Sequence, residues 1–160
     1  MKRYPLHTLV RLREHRAEAA RQVVLERQRA AQDCRDACLR IEGEIIALQF
    51  AQGQQRARLL DPPPPGVPWA SALAQREAHV ELLGEQAEAA RQRLFRAQDT
   101  LREAEEALAA ARAGFFRAKA RQDALYQRRD AWRGEQSALD ARREEGAAED
   151  LLQARQPRGA

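Results

Sequence analysis

Two stretches of apolar residues at strict 3-4 spacing flank one block of prolines, and that pattern admits few folds. The block, Asp61-Pro-Pro-Pro-Pro-Gly-Val-Pro68, holds five of the seven prolines. No helix runs through it, because each proline removes an N–H donor and clashes with the preceding turn. Four prolines in a row favour a stiff, extended segment. Before the block, an a column runs Val10, Ala17, Val24, Ala31, Cys38, Ile45, Gln52 and Leu59. Its d column is Leu6, Arg13, Ala20, Arg27, Cys34, Ile41, Leu48 and Gln55. After the block, the a column is Leu73, Val80, Ala87, Leu94, Leu101, Leu108 and Phe115. The second d column is Leu83, Ala90, Ala97, Ala104, Ala111, Ala118, Leu125, Trp132 and Leu139. Heptads sustained this long are a coiled-coil signal. The run of Ala at d allows two helices to approach closely.

The fold class is therefore all-α: a long antiparallel two-helix coiled-coil hairpin with a Pro-rich tip and an overshooting second helix. Residues 1–4 read as a lead-in, 5–60 as the first helix and 61–68 as the connection. Residues 69–145 read as the second helix, and 146–160 as a frayed or disordered tail. An eight-residue connection folds neighbouring helices back on each other. Pairing Leu60 with Trp69 sets facing residue numbers that add to about 129. The second helix then runs past the N-terminus, carrying Leu125 and Trp132 with it.

Composition excludes most enzymes. Two Ser, two Thr, three His, two Cys and two Tyr supply few nucleophiles or general bases. Low bulk hydrophobicity can mark disorder, but disorder calls for a strong net charge, and 28 basic against 24 acidic residues leave only +4. No apolar run approaches the roughly 20 residues of a membrane span, so direct membrane insertion is not expected. The basic opening lacks the apolar core of a signal peptide, and a cytoplasmic protein is expected. Cys34 and Cys38 fall on d and a positions, where a thiol packs as a small apolar group. No His stands opposite to complete a zinc site, and neither a metal nor a cofactor is expected.

Two features exceed what a bare coiled coil needs. Leu39, Ile46 and Phe50 point away from the seam near the tip, and Leu82, Val67 and Trp69 stand close enough to extend that patch. A contiguous exposed apolar patch suggests a partner, or self-association. The other feature is charge. Residues 1–30 carry eight basic and three acidic residues, and residues 110–135 carry seven and three. The hairpin joins Arg11, Arg13 and Arg16 to Arg117, Lys119 and Arg121 at one end. Few aromatics and interleaved acids favour a protein partner there over nucleic acid.

The opening Tyr4-Pro-Leu-His-Thr-Leu-Val-Arg-Leu-Arg-Glu-His-Arg-Ala-Glu-Ala-Ala20 leads straight from a basic start into a heptad helix. With the mid-chain break, Trp69 opening the second helix and that helix's greater length, it resembles the FliJ/YscO family, the central stalk of type III secretion ATPases. The Arg-rich start is more similar to the non-flagellar YscO branch; the proline run is a departure. The resemblance implies a non-enzymatic protein, cytoplasmic and peripheral to the inner-membrane export apparatus. It implies three partners: the export ATPase, the cytosolic domain of the export gate, and export chaperones. The ATPase side would use the basic end with Leu6, Leu9, Leu125 and Trp132, and the gate side Leu39, Ile46, Phe50, Trp69 and Leu82. A self-assembling coiled-coil scaffold is the alternative reading.

Overall fold

The computed structural model describes residues 4–155, and two long helices make up nearly all of it. Helix α1 spans His7–Ala57 and helix α2 spans Trp69–Arg155. Among the described residues there is no strand, and the helices pack against each other as an all-α hairpin. Contacts divide the chain into two units, Val24–Ala111 and Met1–Val23 with Arg112–Ala160.

Val24–Ala111 is a complete hairpin whose seam follows the heptads. Ala31, Cys38 and Ile45 of α1 are buried, as are Val80, Leu83, Ala87, Ala90 and Leu108 of α2. All eight are a or d positions, and Ala72, a g position at the start of α2, is buried as well. Ala31 and Ala90 are fully covered, at 0% exposure, which for so small a side chain requires the opposite helix to come close. Charged partners close both flanks: Arg35 donates to Glu105 at 2.9 Å, and Arg93 grips Glu44 with two bonds of 2.6 and 3.1 Å.

These pairs correct the expected register. Facing residues Glu44 and Arg93 add to 137, and Arg35 and Glu105 add to 140, where a tight Leu60–Trp69 closure gives 129. The slip is eight to eleven residues, and every a and d residue keeps its face while changing its opposite number. The connection causes it. Helix α1 stops at Ala57, three residues short of the expected end, and gives way to turns bonded Arg58 to Gln55, Leu59 to Arg56 and Asp61 to Arg58. The chain then folds back along the first turns of α2, where Arg76 donates to the carbonyls of Leu59 (3.0 Å) and Asp61. A cation on carbonyls at a helix C-terminus is favoured by the helix dipole. Pro64 to Val67 form a β-turn closed by Val67 N–H on the Pro64 carbonyl at 3.2 Å. Gly66 sits at φ 85°, which with Pro65 before it is the type II arrangement that only glycine adopts freely.

In the other unit, Val10 and Ala17 are the buried residues of α1. Tyr4 meets Trp132 with ring centroids 5.3 Å apart, and Tyr126 donates to Glu14 at 2.6 Å. Trp132 and Leu125 were expected to overshoot the N-terminus, but both are half-buried within the paired part of this unit, where Tyr126 meets Glu14 and Trp132 meets Tyr4. The unpaired extension begins later: residues 137–155 are all exposed. The expected end at 145 is also too early, since α2 continues to Arg155. A lone Gly146 costs a helix only about 1 kcal/mol, and the Ala, Leu, Glu and Gln that follow are helix formers. Residues 1–3 and 156–160 lie outside the described residues.

Candidate interaction surfaces

The basic residues expected to bind an ATPase all fall in the unit formed by Met1–Val23 and Arg112–Ala160. Arg11, Arg16, Arg117 and Arg121 are exposed, and Arg13 and Lys119 are half-buried. Lys119 is partly neutralised by Asp123, 3.0 Å away on the next turn. Arg13 occupies a d position, where a long basic side chain can lay its stem along apolar surface and keep its charge in water. Of the apolar residues, Leu6 is exposed at 37%, while Leu9, Leu125 and Trp132 are half-buried.

Beside them stands a polar-aromatic cluster that sequence reading missed. Tyr126 Oη accepts from Gln122 Nε2 at 2.8 Å while donating to Glu14, and the Arg129 guanidinium lies 4.6 Å from the Tyr126 ring centre. Glu14 and Tyr126 are both e positions, which meet in an antiparallel pair, so a correct register would have revealed them. Tyr4, Pro5, Leu6, Arg128, Ala131, Trp132 and Glu135 line an open groove of about 380 Å³. The Tyr4 hydroxyl is buried beside it without a hydrogen-bond partner.

The apolar patch lies in Val24–Ala111. Leu39, Ile46 and Phe50 are 63%, 66% and 67% exposed, so all three stand clear of the seam. Trp69 and Leu82 are about half exposed. The structure does not join Leu82 to the patch. Leu82 lies on the flank of α2 that carries Arg93, eleven residues on, whereas Leu39 lies one turn beyond Arg35 on the opposite flank. Phe95 and Phe116, at 66% and 67% exposure, are further exposed aromatics that sequence reading passed over. Each directly follows an a residue, and one step of about 100° takes it off the seam.

Among the described residues no helix is long and apolar enough to cross a membrane, and no group of three His, Cys, Asp or Glu gathers into a metal site. Cys38 is buried in the seam and Cys34 half-buried one turn earlier, both as free thiols.

No protein-family model and no curated protein matches the chain. A solved structure from Chlamydia trachomatis, described as a "putative YscO homolog", is similar with a TM-score of 0.73. The match covers 96% of this chain and 94% of that one at 19% sequence identity. The two chains share a fold.

Proposed function

We propose that the chain is a central-stalk component of a type III protein secretion system, of the non-flagellar YscO-like kind. It couples the export ATPase to the export gate through protein contacts and performs no chemistry itself. The observation that carries this reading is the fold shared with a described YscO homolog over nearly the whole of both chains. The heptad-bearing basic start from Tyr4 to Ala20 points the same way. In this reading Arg11, Arg16, Arg117 and Arg121 attract the ATPase, and Leu6, Leu9, Leu125 and Trp132 hold it after encounter. Leu39, Ile46, Phe50 and Trp69 serve the export gate, with Leu82 as a separate contact on the other flank, and export chaperones are further partners. The protein works in the cytoplasm at the inner-membrane export apparatus.

The test is stimulation of a type III secretion ATPase over a salt series, with wild type and with Arg11→Glu/Arg117→Glu/Arg121→Glu. The variant stimulates less, and the deficit is largest at low salt, where screening is weakest. Equal stimulation by both proteins at every salt concentration removes the electrostatic part of the reading. Absence of stimulation by the wild type rejects the stalk itself.

A further inference from the structure

The chain carries both halves of one mode of recognition. One half is the open groove beside Tyr4. Tyr4 and Trp132 line it with ring centroids 5.3 Å apart and planes tilted by 56°, and Leu6 and Ala131 add apolar surface. The Tyr4 hydroxyl is covered and has no hydrogen-bond partner. A polar group held away from water without a partner is destabilising, and a small turn of the ring toward an acceptor in the groove relieves it. Two exposed charges, Arg128 and Glu135, line the same groove two turns apart on α2. The other half is the proline run. Proline fixes φ near −65°, and a residue that precedes proline is held extended. Pro62, Pro63 and Pro64 meet both conditions, so three consecutive residues keep the polyproline II form ahead of the Pro65–Gly66 turn. Pro62, Pro64 and Pro65 are exposed. Among the described residues the carbonyls of Pro62 and Pro63 accept no hydrogen bond, whereas those of Asp61 and Pro64 do.

A stiff polyproline II segment loses little entropy on docking, and aromatic-lined grooves are the surfaces that take it. Its open carbonyls accept from donors such as a tyrosine hydroxyl or an indole N–H. Charge agrees with this pairing. Arg58 and Asp61 flank the run, both exposed, and they complement Glu135 and Arg128 of the groove. Among the described residues none of these four has an ion-pair partner. Helix α1 runs unbroken for 51 residues, roughly 75 Å, between the groove's Tyr4 and Leu6 and the run, which holds the run off the groove of its own chain. The occupant is therefore a second copy. We infer that the groove lined by Tyr4, Leu6 and Trp132 receives the Pro62–Pro65 run of another copy of this chain, with Asp61 of that run set on Arg128. Leu6 and Trp132 also serve the proposed ATPase contact, so a seated copy and the ATPase exclude each other.

This inference does not rest on the stalk reading, because its readout is the purified full chain alone. Sedimentation equilibrium up to about 500 μM should show association with a dissociation constant on the order of 100 μM, the weak range of a small contact. Pro62→Ser/Pro63→Ser/Pro64→Ser removes the run and leaves the Pro65–Gly66 turn, while Trp132→Ala removes one side of the groove. Each variant alone should lose association by at least about tenfold. Mixed in equal amounts they should pair again, since one supplies the groove and the other the run. With one head-to-tail contact left, the mixture should stop at a dimer. Arg128→Glu, at an exposed position, is a groove variant that spares the fold, and association lost in it should return when Asp61→Arg is added. Tyr4→Phe keeps the ring and should weaken association about tenfold without lowering the melting temperature, because the lost hydroxyl has no partner in the free protein. A wild type that stays monomeric throughout overturns the inference and leaves the groove to a different protein. A proline variant that associates like wild type, or a mixture that fails to pair, overturns it as well, because run and groove would then not be each other's partners.

Discussion

The two units are built from the same heptads, yet they bury their seams differently. In Val24–Ala111 the d positions of α2 are Leu83 and then successive alanines, and the seam holds nine buried side chains, including Ala72 at the start of α2. Among the described residues of Met1–Val23 with Arg112–Ala160, only Val10 and Ala17 are buried. Here the seam must take Arg13, Phe115 and Trp132, and bulky or charged side chains leave one another half-covered. Cross-helix polar and aromatic contacts stand in for burial: Tyr126 to Glu14, and Tyr4 to Trp132. Small residues thus give a close, apolar, register-tolerant seam, and large ones a looser seam fixed by individual contacts. The first suits a rigid element. The second leaves more side-chain surface open to solvent.

The largest effect that would break this contrast is overpacking. Ala90→Leu forces a large side chain where exposure is 0% and should destabilise by about 3 kcal/mol. Ala118→Leu, at a half-buried d position of the other unit, should change stability by less than about 1 kcal/mol. Chemical denaturation of both variants measures the difference, and equal costs would mean that the seams are equally tight.

Next in size is Tyr126→Phe, expected to cost about 1 kcal/mol because Glu14 and Gln122 lose their shared partner. Hydrogen exchange at amides around Glu14 and Tyr126 should rise with it. Unchanged exchange and unchanged stability would remove individual polar contacts as the device that fixes this unit.

Glycine substitutions probe a finer difference. Gly134→Ala enters open space and should gain about 0.5–1 kcal/mol. At Gly84 the new methyl would lie 2.7 Å from Gln52 Nε2, which donates to the Val80 carbonyl at 3.1 Å. Gly84→Ala should therefore gain almost nothing, because helix propensity is offset by displacing that bond. Equal gains in thermal melts would show that Gln52 moves aside freely.

The smallest effect is on pH dependence. Glu44 is held below its ordinary pKa, first by its hydrogen bond to Arg93, against a smaller opposing effect of burial, with the Arg93 charge helping. A carboxylate whose folded pKa is depressed contributes stability that is present above its unfolded pKa, near 4.5, and is lost as pH falls through the folded value. Acid titration of stability should thus be slightly shallower in Glu44→Gln than in wild type. Superimposable curves would mean that water screens the pair completely.

Much of this molecule could be read without coordinates. Heptad spacing placed Ala31, Cys38, Ile45, Val80, Leu83, Ala87, Ala90 and Leu108 on the seam, and all eight are buried. It also put Leu39, Ile46 and Phe50 outside the seam, where they are exposed. Side-chain direction on a helix follows from residue spacing alone, so faces are local information. Facing partners are not. A slip along the seam preserves every face and changes every partner, and a repeated pattern of Leu and Ala does little to penalise the slip. The path of the connection decided it: α1 stops at Ala57, and Arg76 holds the carbonyls of Leu59 and Asp61 along α2. From that choice follow the Glu44–Arg93 and Arg35–Glu105 contacts. The sequence by itself determined which side of each helix is buried, because that is set within a few residues. Only the tertiary structure decided which residues meet, because that depends on where the chain turns.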